Sequence, residues 1–229
     1  MTKNILIIGA SRGIGAELVI QLAQNKNHRI LAFSRRLTMM EEKFGHLSNV
    51  TSFALDLNAD DVKSTFAAQI ESLACIDILI YNAGYLVNKP FLDLTREDLQ
   101  TSYQINVLSA FEVFQAAMPK FSEEAHIVSI SSMGGFQGTV KFGGLSSYST
   151  PKAALVSLTE LLAEEFKHTQ WAFNCLALGA AQTEMLEAAF PGYQAPVSAA
   201  EMAEFIADFS VNAHRFIRGK VVPVSLSTP

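Results

Sequence analysis

Residues 5–15 read Ile5-Leu6-Ile7-Ile8-Gly9-Ala10-Ser11-Arg12-Gly13-Ile14-Gly15. A run of large apolar residues that gives way at once to glycines describes a strand buried on both faces turning sharply into a helix. Glycines there permit a tight turn and let backbone N–H groups approach an anion at the helix N-terminus, where the helix dipole favours negative charge. The spacing is GxxxGxG rather than the commoner GxGxxG, and alone such a turn is either a plain connection or a phosphate cradle. Its place at the first strand-to-helix junction favours the cradle.

Outward from this stretch, short apolar runs recur at 5–8, 30–33, 50–55, 76–81, 127–130, 171–177 and 221–224. Helical periodicity fills the gaps. It is clearest over 97–121, where Val107, Ala110, Phe111, Phe114, Met118 and Phe121 form one stripe, and again over 150–166. Repeated βα crossovers of this kind predict an α/β fold: a doubly wound, Rossmann-like, parallel seven-stranded sheet with helices on both faces. No linker, repeat or composition break divides the chain, so residues 1–229 read as one domain. Ligands of such sheets bind past the carboxyl ends of the strands.

Bulk composition narrows the function. A chain of 229 residues, 49% hydrophobic and 17% charged, can fill one core. With 17 basic against 22 acidic residues and no basic stripe carrying aromatics, nucleic acid and anionic membrane are poor partners, and small molecules are the expected ones. Cys75 and Cys175 form no CxxC pair and read as buried thiols of a reducing compartment. The first apolar run is too short for a signal segment and no later run has membrane length, so a cytoplasmic protein is expected. The histidines are scattered without metal-ligand spacing, and no metal is expected.

The end of the second strand separates nicotinamide cofactors: a carboxylate accepts from the NAD ribose, a cation meets the extra phosphate of NADP. Here stand Ser34, Arg35 and Arg36, with Arg12 inside the glycine loop. Guanidinium groups clamp phosphate bidentately, so the pattern predicts NADP(H); the plainer alternative is a solvated basic patch.

Further on, a strand ends in Ser131-Ser132, and Tyr148 precedes Lys152 by four residues in Tyr-Ser-Thr-Pro-Lys-Ala-Ala-Leu. Leu155, Leu158, Leu162 and Phe166 recur at helical intervals, which places Tyr148 and Lys152 on one helix face. An ordinary tyrosine with a solvent-facing lysine is the bland alternative; the glycine loop and serine strand together override it.

At this point the chain resembles the compact, single-domain branch of the short-chain dehydrogenase/reductase family. The match runs in order through Gly9-xxx-Gly13-x-Gly15, Asp56-Leu57, Asn82-Ala83-Gly84, Asn106, Ser131-Ser132, Tyr148-xxx-Lys152 and Thr183, nearly the entire chain. The resemblance implies that Asp56 hydrogen-bonds the adenine and Leu57 borders it, that Asn82, Ala83 and Gly84 lie against the adenine ribose, and that Thr183 holds the nicotinamide carboxamide beside Gly179. It also implies that Asn106 anchors a proton-relay water; a buried amide on an apolar helical face also suits a local kink, and the two readings are compatible. Asp56 could be only the cap of a helix starting near Asn58, and Asn-Ala-Gly only a turn.

Two departures from the family stand out. Fifteen residues separate Ser132 from Tyr148, so Phe136 to Ser147 should form a lengthened loop. The usual Pro-Gly after the sixth strand is Leu178-Gly179, which loses a fixed φ and should loosen the nicotinamide wall.

The implied chemistry is reduction of a ketone or aldehyde by hydride from NADP(H). Tyr148 would donate the proton, Ser132 would bind the carbonyl oxygen, and Lys152 would favour the phenolate while reaching the ribose hydroxyls. Acid–base work near neutrality asks that the phenol fall roughly 2 to 3 units from about 10. Met185, Leu186, Phe190 and Tyr193 could close over a small, mostly apolar substrate, with Met133, Phe136, Phe142 and Leu145 opposite. The family's pairing of the helices that carry Asn106 and Tyr148 implies a homodimer or homotetramer. A non-catalytic NADP(H)-binding regulator and a 3-oxoacyl-thioester or pteridine reductase are the rival functions.

Overall fold

The computed structural model describes residues 2–226. Its centre is a seven-stranded, wholly parallel sheet in the order β3-β2-β1-β4-β5-β6-β9. The strands are β1 (Asn4–Ile8), β2 (Arg29–Ser34), β3 (Val50–Ala54), β4 (Ile76–Tyr81), β5 (Phe121–Ser132), β6 (Ala172–Leu178) and β9 (Val221–Val224). Each of the expected runs is a strand of this sheet. A two-stranded parallel ribbon, β7 (Ala181–Gln182) with β8 (Val197–Ser198), was not foreshadowed by any periodicity.

Helices cover both faces. Alternation along β1 sends Ile5 and Ile7 toward α1 (Gly13–Ala23), α2 (Leu37–Phe44) and α8 (Ala199–Asn212), where they join Leu18, Phe44 and Ile206. Leu6 and Ile8 point to the other layer, α3 (Val62–Ile70), α5 (Ser109–Ala117) and α6 (Ser146–Glu165), and pack with Phe66, Phe114 and Leu155. Burial on both faces explains why these strands read as continuous apolar runs.

The stripe expected over 97–121 needs correction. α4 (Arg96–Tyr103) and α5 are joined by a π-helical turn at Gln104–Leu108, followed by a 3-10 turn at Met118–Lys120. The wider turn resets the helical phase, so Val107, Ala110 and Phe114 are buried while Phe111 faces out. Phe121 belongs to β5, which starts six residues before the apolar run; its first residues, Ser122, Glu123 and Glu124, lie beside a bulge opposite Ile76–Ile78 and carry no apolar signal. Among the described residues no helix is long and apolar enough to cross a membrane.

The chain leaves β1 toward β2 and β3 and then returns to β4 on the other side of β1. The crevice between the ends of β1 and β4 is therefore the switch point at which such sheets bind ligands.

Candidate active site

A cavity of about 930 Å³ opens over these strand ends. It is bounded by the glycine loop, the ends of β2 through β6, the serine loop before α6, and α7 (Glu184–Ala189).

The glycine loop is a packing joint as much as a cradle. Gly9 has φ +88°, and a Cβ there would meet the Ala83 Cα at 2.6 Å. A Cβ on Gly15 would fall 2.0 Å from the Gly9 carbonyl oxygen and 2.5 Å from Asn82 Nδ2. Asn82 closes the joint: its Nδ2 donates to the Gly9 carbonyl at 3.0 Å and its N–H to that of Ile8 at 3.0 Å. Gly15 thus packs beneath the loop and does not line the cavity, whereas Gly9, Ser11, Arg12, Gly13 and Ile14 do. α1 begins at Gly13 with no side-chain cap on its N-terminal N–H groups and no acidic residue in its first turn. A helix end in that state is suited to an anion.

At the end of β2, Ser34 Oγ accepts from the Arg36 N–H at 3.4 Å, and Ser34, Arg35 and Arg36 all line the cavity. Asp56 and Leu57 face them across the crevice. Arg35 Nε stands 4.0 Å from Asp56 Oδ1 with both side chains about half exposed, a solvent-screened and weak pair. Asp56 Oδ1 also accepts from the Asn58 N–H at 3.0 Å, forming a local turn; the helix that follows starts at Val62, not near Asn58.

Strand alternation divides the two serines. Ser131 Oγ donates to the Lys152 carbonyl at 2.8 Å and ties β5 to α6. Ser132, the last residue of β5, borders the cavity beside Tyr148, with its Oγ accepting from the Gly134 N–H at 3.2 Å. Tyr148 and Lys152 both lie in the first turns of α6 and both line the cavity. Lys152 is only 2% exposed; its Nζ donates to the carbonyls of Ile130 at 2.8 Å and Ala83 at 3.2 Å and sits 6.0 Å from the centre of the Tyr148 ring. Burial pulls the Lys152 ammonium down to about 8. Burial also pushes the Tyr148 phenol up to about 12, opposed by hydrogen bonding with Ser132. Burial thus outweighs the Ser132 hydrogen bond at the phenol, and the Lys152 ammonium is turned to main-chain carbonyls.

Asn106 is fully buried in the π turn and does not line the cavity. Its Nδ2 donates to the Tyr85 and Ser102 carbonyls at 2.8 and 2.9 Å, and its Oδ1 accepts from the Tyr85 N–H at 3.1 Å. The side chain holds the distorted helix to the loop after β4. The buried Tyr81 hydroxyl, 2.7 Å from both the Ile105 carbonyl and Ser109 Oγ, serves the same turn.

At the far wall, Leu178 is buried and paired with Ser132 on one side and Val224 on the other. Gly179 is required by close approach, since a Cβ there would lie 2.5 Å from Ser225 Oγ. Thr183 lines the cavity and caps α7, its Oγ1 accepting from the Leu186 N–H at 3.2 Å. Met185, Leu186, Phe190 and Tyr193 border the cavity opposite Met133, Phe142 and Leu145; Phe136 does not reach it. The lengthened serine loop folds on itself through Lys141, whose Nζ donates to the Gly134 and Phe136 carbonyls at 2.9 and 2.6 Å.

Sequence reasoning missed Tyr85, Leu86, Asn88, Glu184 and Ser225 in the cavity wall. Ser225 follows the last strand and could have been found by the strand-end rule. Asn88, whose Nδ2 donates to the Ala189 carbonyl of α7 at 2.9 Å, carries no local signal.

A sequence model described as short chain dehydrogenase matches residues 3–194. The L-2,3-butanediol dehydrogenase of Corynebacterium glutamicum is 32% identical over 200 residues, covering 82% of this chain and 75% of the relative. The 3-oxoacyl-acyl-carrier-protein reductase of Aquifex aeolicus is 30% identical over 190 residues, covering 80% and 75%. Among solved structures, a short chain dehydrogenase from Burkholderia cenocepacia in complex with NADP superposes with a TM-score of 0.87 over 97% of this chain and 96% of that one, at 24% identity. That last likeness concerns the fold alone.

Proposed function

This chain belongs to the short-chain dehydrogenase family of nicotinamide-dependent oxidoreductases, and we propose that it reduces small, mostly apolar ketones and aldehydes to alcohols with NADPH. The observation that carries the reading is the meeting of Ser132, Tyr148 and Lys152 in one cavity with the uncapped start of α1.

When bound, NADPH supplies the hydride. The dinucleotide's phosphates are assigned to the loop from Gly9 through Ile14 and its adenosine end to Asp56, Leu57, Asn82, Ala83 and Gly84. The extra phosphate is assigned to Ser34, Arg35, Arg36 and Arg12, and the nicotinamide end to Gly179 and Thr183. Ser132 hydrogen-bonds the carbonyl oxygen on which charge accumulates, and Tyr148 delivers the proton to that oxygen. A phenol held largely protonated is the correct state for a proton donor at neutral pH. Lys152, two of whose hydrogens are fixed on carbonyls, keeps one for a ribose hydroxyl. Asn106 acts through the turn that carries it.

The cations of the cavity wall are Arg12, Arg35, Arg36 and Lys152, and none of them belongs to the serine loop or α7. That distribution favours an uncharged carbonyl over an acyl-carrier thioester. Exposed Leu99, Leu108, Phe111 and Leu161 on α4, the π turn, α5 and α6 support a homodimer or homotetramer. Two free thiols suit the reducing cytoplasm, and residues 1–229 are assigned to one NADP-binding unit.

A panel of diketones, ketones, aldehydes, a pteridine and a 3-oxoacyl thioester, followed by NADPH oxidation, tests the reading. Turnover confined to the simple carbonyls supports it. Preference for the thioester or pteridine replaces the substrate class, and tight NADPH binding with no turnover assigns a regulator instead.

A further inference from the structure

Pro151 stands between Tyr148 and Lys152 inside α6. It has no N–H, so the carbonyl of Ser147, four residues earlier, lacks its helical donor. That carbonyl accepts instead from the hydroxyl of Ser102 on α4 at 2.6 Å, and Ser102 and Ser147 are both fully buried. A serine hydroxyl has one hydrogen, here given to Ser147, and its oxygen accepts from Asn106 Nδ2 at 3.0 Å. Asn106 is clamped in turn to both main-chain groups of Tyr85. A relay of partnered buried groups therefore runs from the loop after β4, through Asn106 and Ser102, to the residue immediately before Tyr148.

We propose that Ser102 is a positioning residue for Tyr148, needed because Pro151 interrupts the hydrogen bonding of the turn that presents the phenol. The proposal rests on the carbonyl-reductase reading and deepens it. Loss of the hydroxyl leaves the Ser147 carbonyl buried without its partner and removes one of the three acceptors around Asn106 Nδ2, and the first turn of α6 can recover the lost bond only by moving. Movement there displaces the phenol, and misplacement of a catalytic group by about 1 Å costs about 10²-fold in rate. The dependence on Pro151 separates this role from simple packing. With alanine at position 151 an N–H is present again, the Ser147 carbonyl regains its helical donor, and the hydroxyl of Ser102 becomes dispensable.

The test is a double-mutant cycle on Ser102→Ala and Pro151→Ala, with Ser102→Thr as the conservative variant. Steady-state kinetics, NADPH affinity, the pH dependence of kcat and Tm are read for each. In the wild-type background Ser102→Ala should lower kcat by about 10-fold to 10²-fold and shift its pH limb, with KM and NADPH affinity within about 2-fold. Ser102→Thr should stay within about 3-fold of wild type, and in the Pro151→Ala background the Ser102→Ala loss should shrink to less than about 3-fold. An equal kcat loss in both backgrounds, or a loss without a moved pH limb, overturns the relay. The two readings fail separately: a wild-type protein that reduces no carbonyl overturns the function, whereas a Tm decrease for Ser102→Ala that is the same in both backgrounds overturns the relay.

Discussion

The ammonium of Lys152 lies 6.0 Å from the centre of the Tyr148 ring and gives two hydrogens to the carbonyls of Ile130 and Ala83. Burial lowers it to about 8, so it carries its charge below that pH and loses it above. Because kcat/KM for NADPH reports the free enzyme, it should fall as pH rises through about 8, while the phenol near 12 stays protonated across the range. Lys152→Met should remove that limb and lower kcat/KM by about 10² or more. A pH profile with the same limb in Lys152→Met would assign the ionisation elsewhere.

Gly15→Ala places a Cβ where the Gly9 carbonyl oxygen lies only 2.0 Å away, a collision with backbone that cannot be relieved by a rotamer change. The glycine loop must shift, and NADPH affinity measured by fluorescence titration should drop at least about 10-fold. Gly138→Ala, which meets nothing within 4 Å, is the control for a glycine outside the site, although its φ of +81° costs some stability of its own.

Arg35 is screened by solvent from Asp56 and is available to a phosphate. Arg35→Ala should reduce kcat/KM for NADPH by about 10-fold, a value of one lost charged contact, while leaving that for NADH within about 2-fold. Undiminished NADPH preference removes Arg35 from the cofactor assignment.

The runs that became the seven strands were legible because the stretches of β-strand covered by helices on both faces are predominantly apolar. The cavity was legible for a related reason: glycines, serines and the Tyr148–Lys152 pair sit where strands end, and the topology brings strand ends together. What escaped the sequence depends on contacts between distant elements. Nothing about Ser102 or Tyr81 in a linear reading says that one relieves Pro151 and the other supports a π turn. The phase slip at Gln104–Leu108 likewise hid the outward direction of Phe111, since helical periodicity assumes a constant 3.6 residues per turn. His126, read as one of several scattered histidines, is fully buried in β5.

That histidine has a measurable consequence. His126 Nδ1 lies 2.8 Å from the Ser210 carbonyl, which fixes the proton there, and Nε2 accepts from Asn174 Nδ2 at 2.9 Å. Burial, with the neighbouring His214 and Lys3 adding repulsion against only the Ser210 carbonyl, lowers it from 6.5 to about 4. The unfolded chain binds the proton first, so stability is full above about 6.5 and declines as pH falls toward about 4, by up to roughly 3 kcal/mol. Thermal denaturation between these values should show the decline in the wild type and a shallower one in His126→Phe. Identical slopes would place the acid sensitivity in other groups.

The central claim is that the Tyr148 hydroxyl delivers the proton to a carbonyl reduced by a nicotinamide bound beside it. Tyr148→Phe keeps the ring and removes only that hydroxyl, so the most direct measurement is NADPH oxidation by this variant alongside its NADPH affinity. The account predicts turnover reduced by at least about 10³-fold with affinity within about 3-fold of wild type. Wild-type turnover in the phenylalanine variant would contradict it.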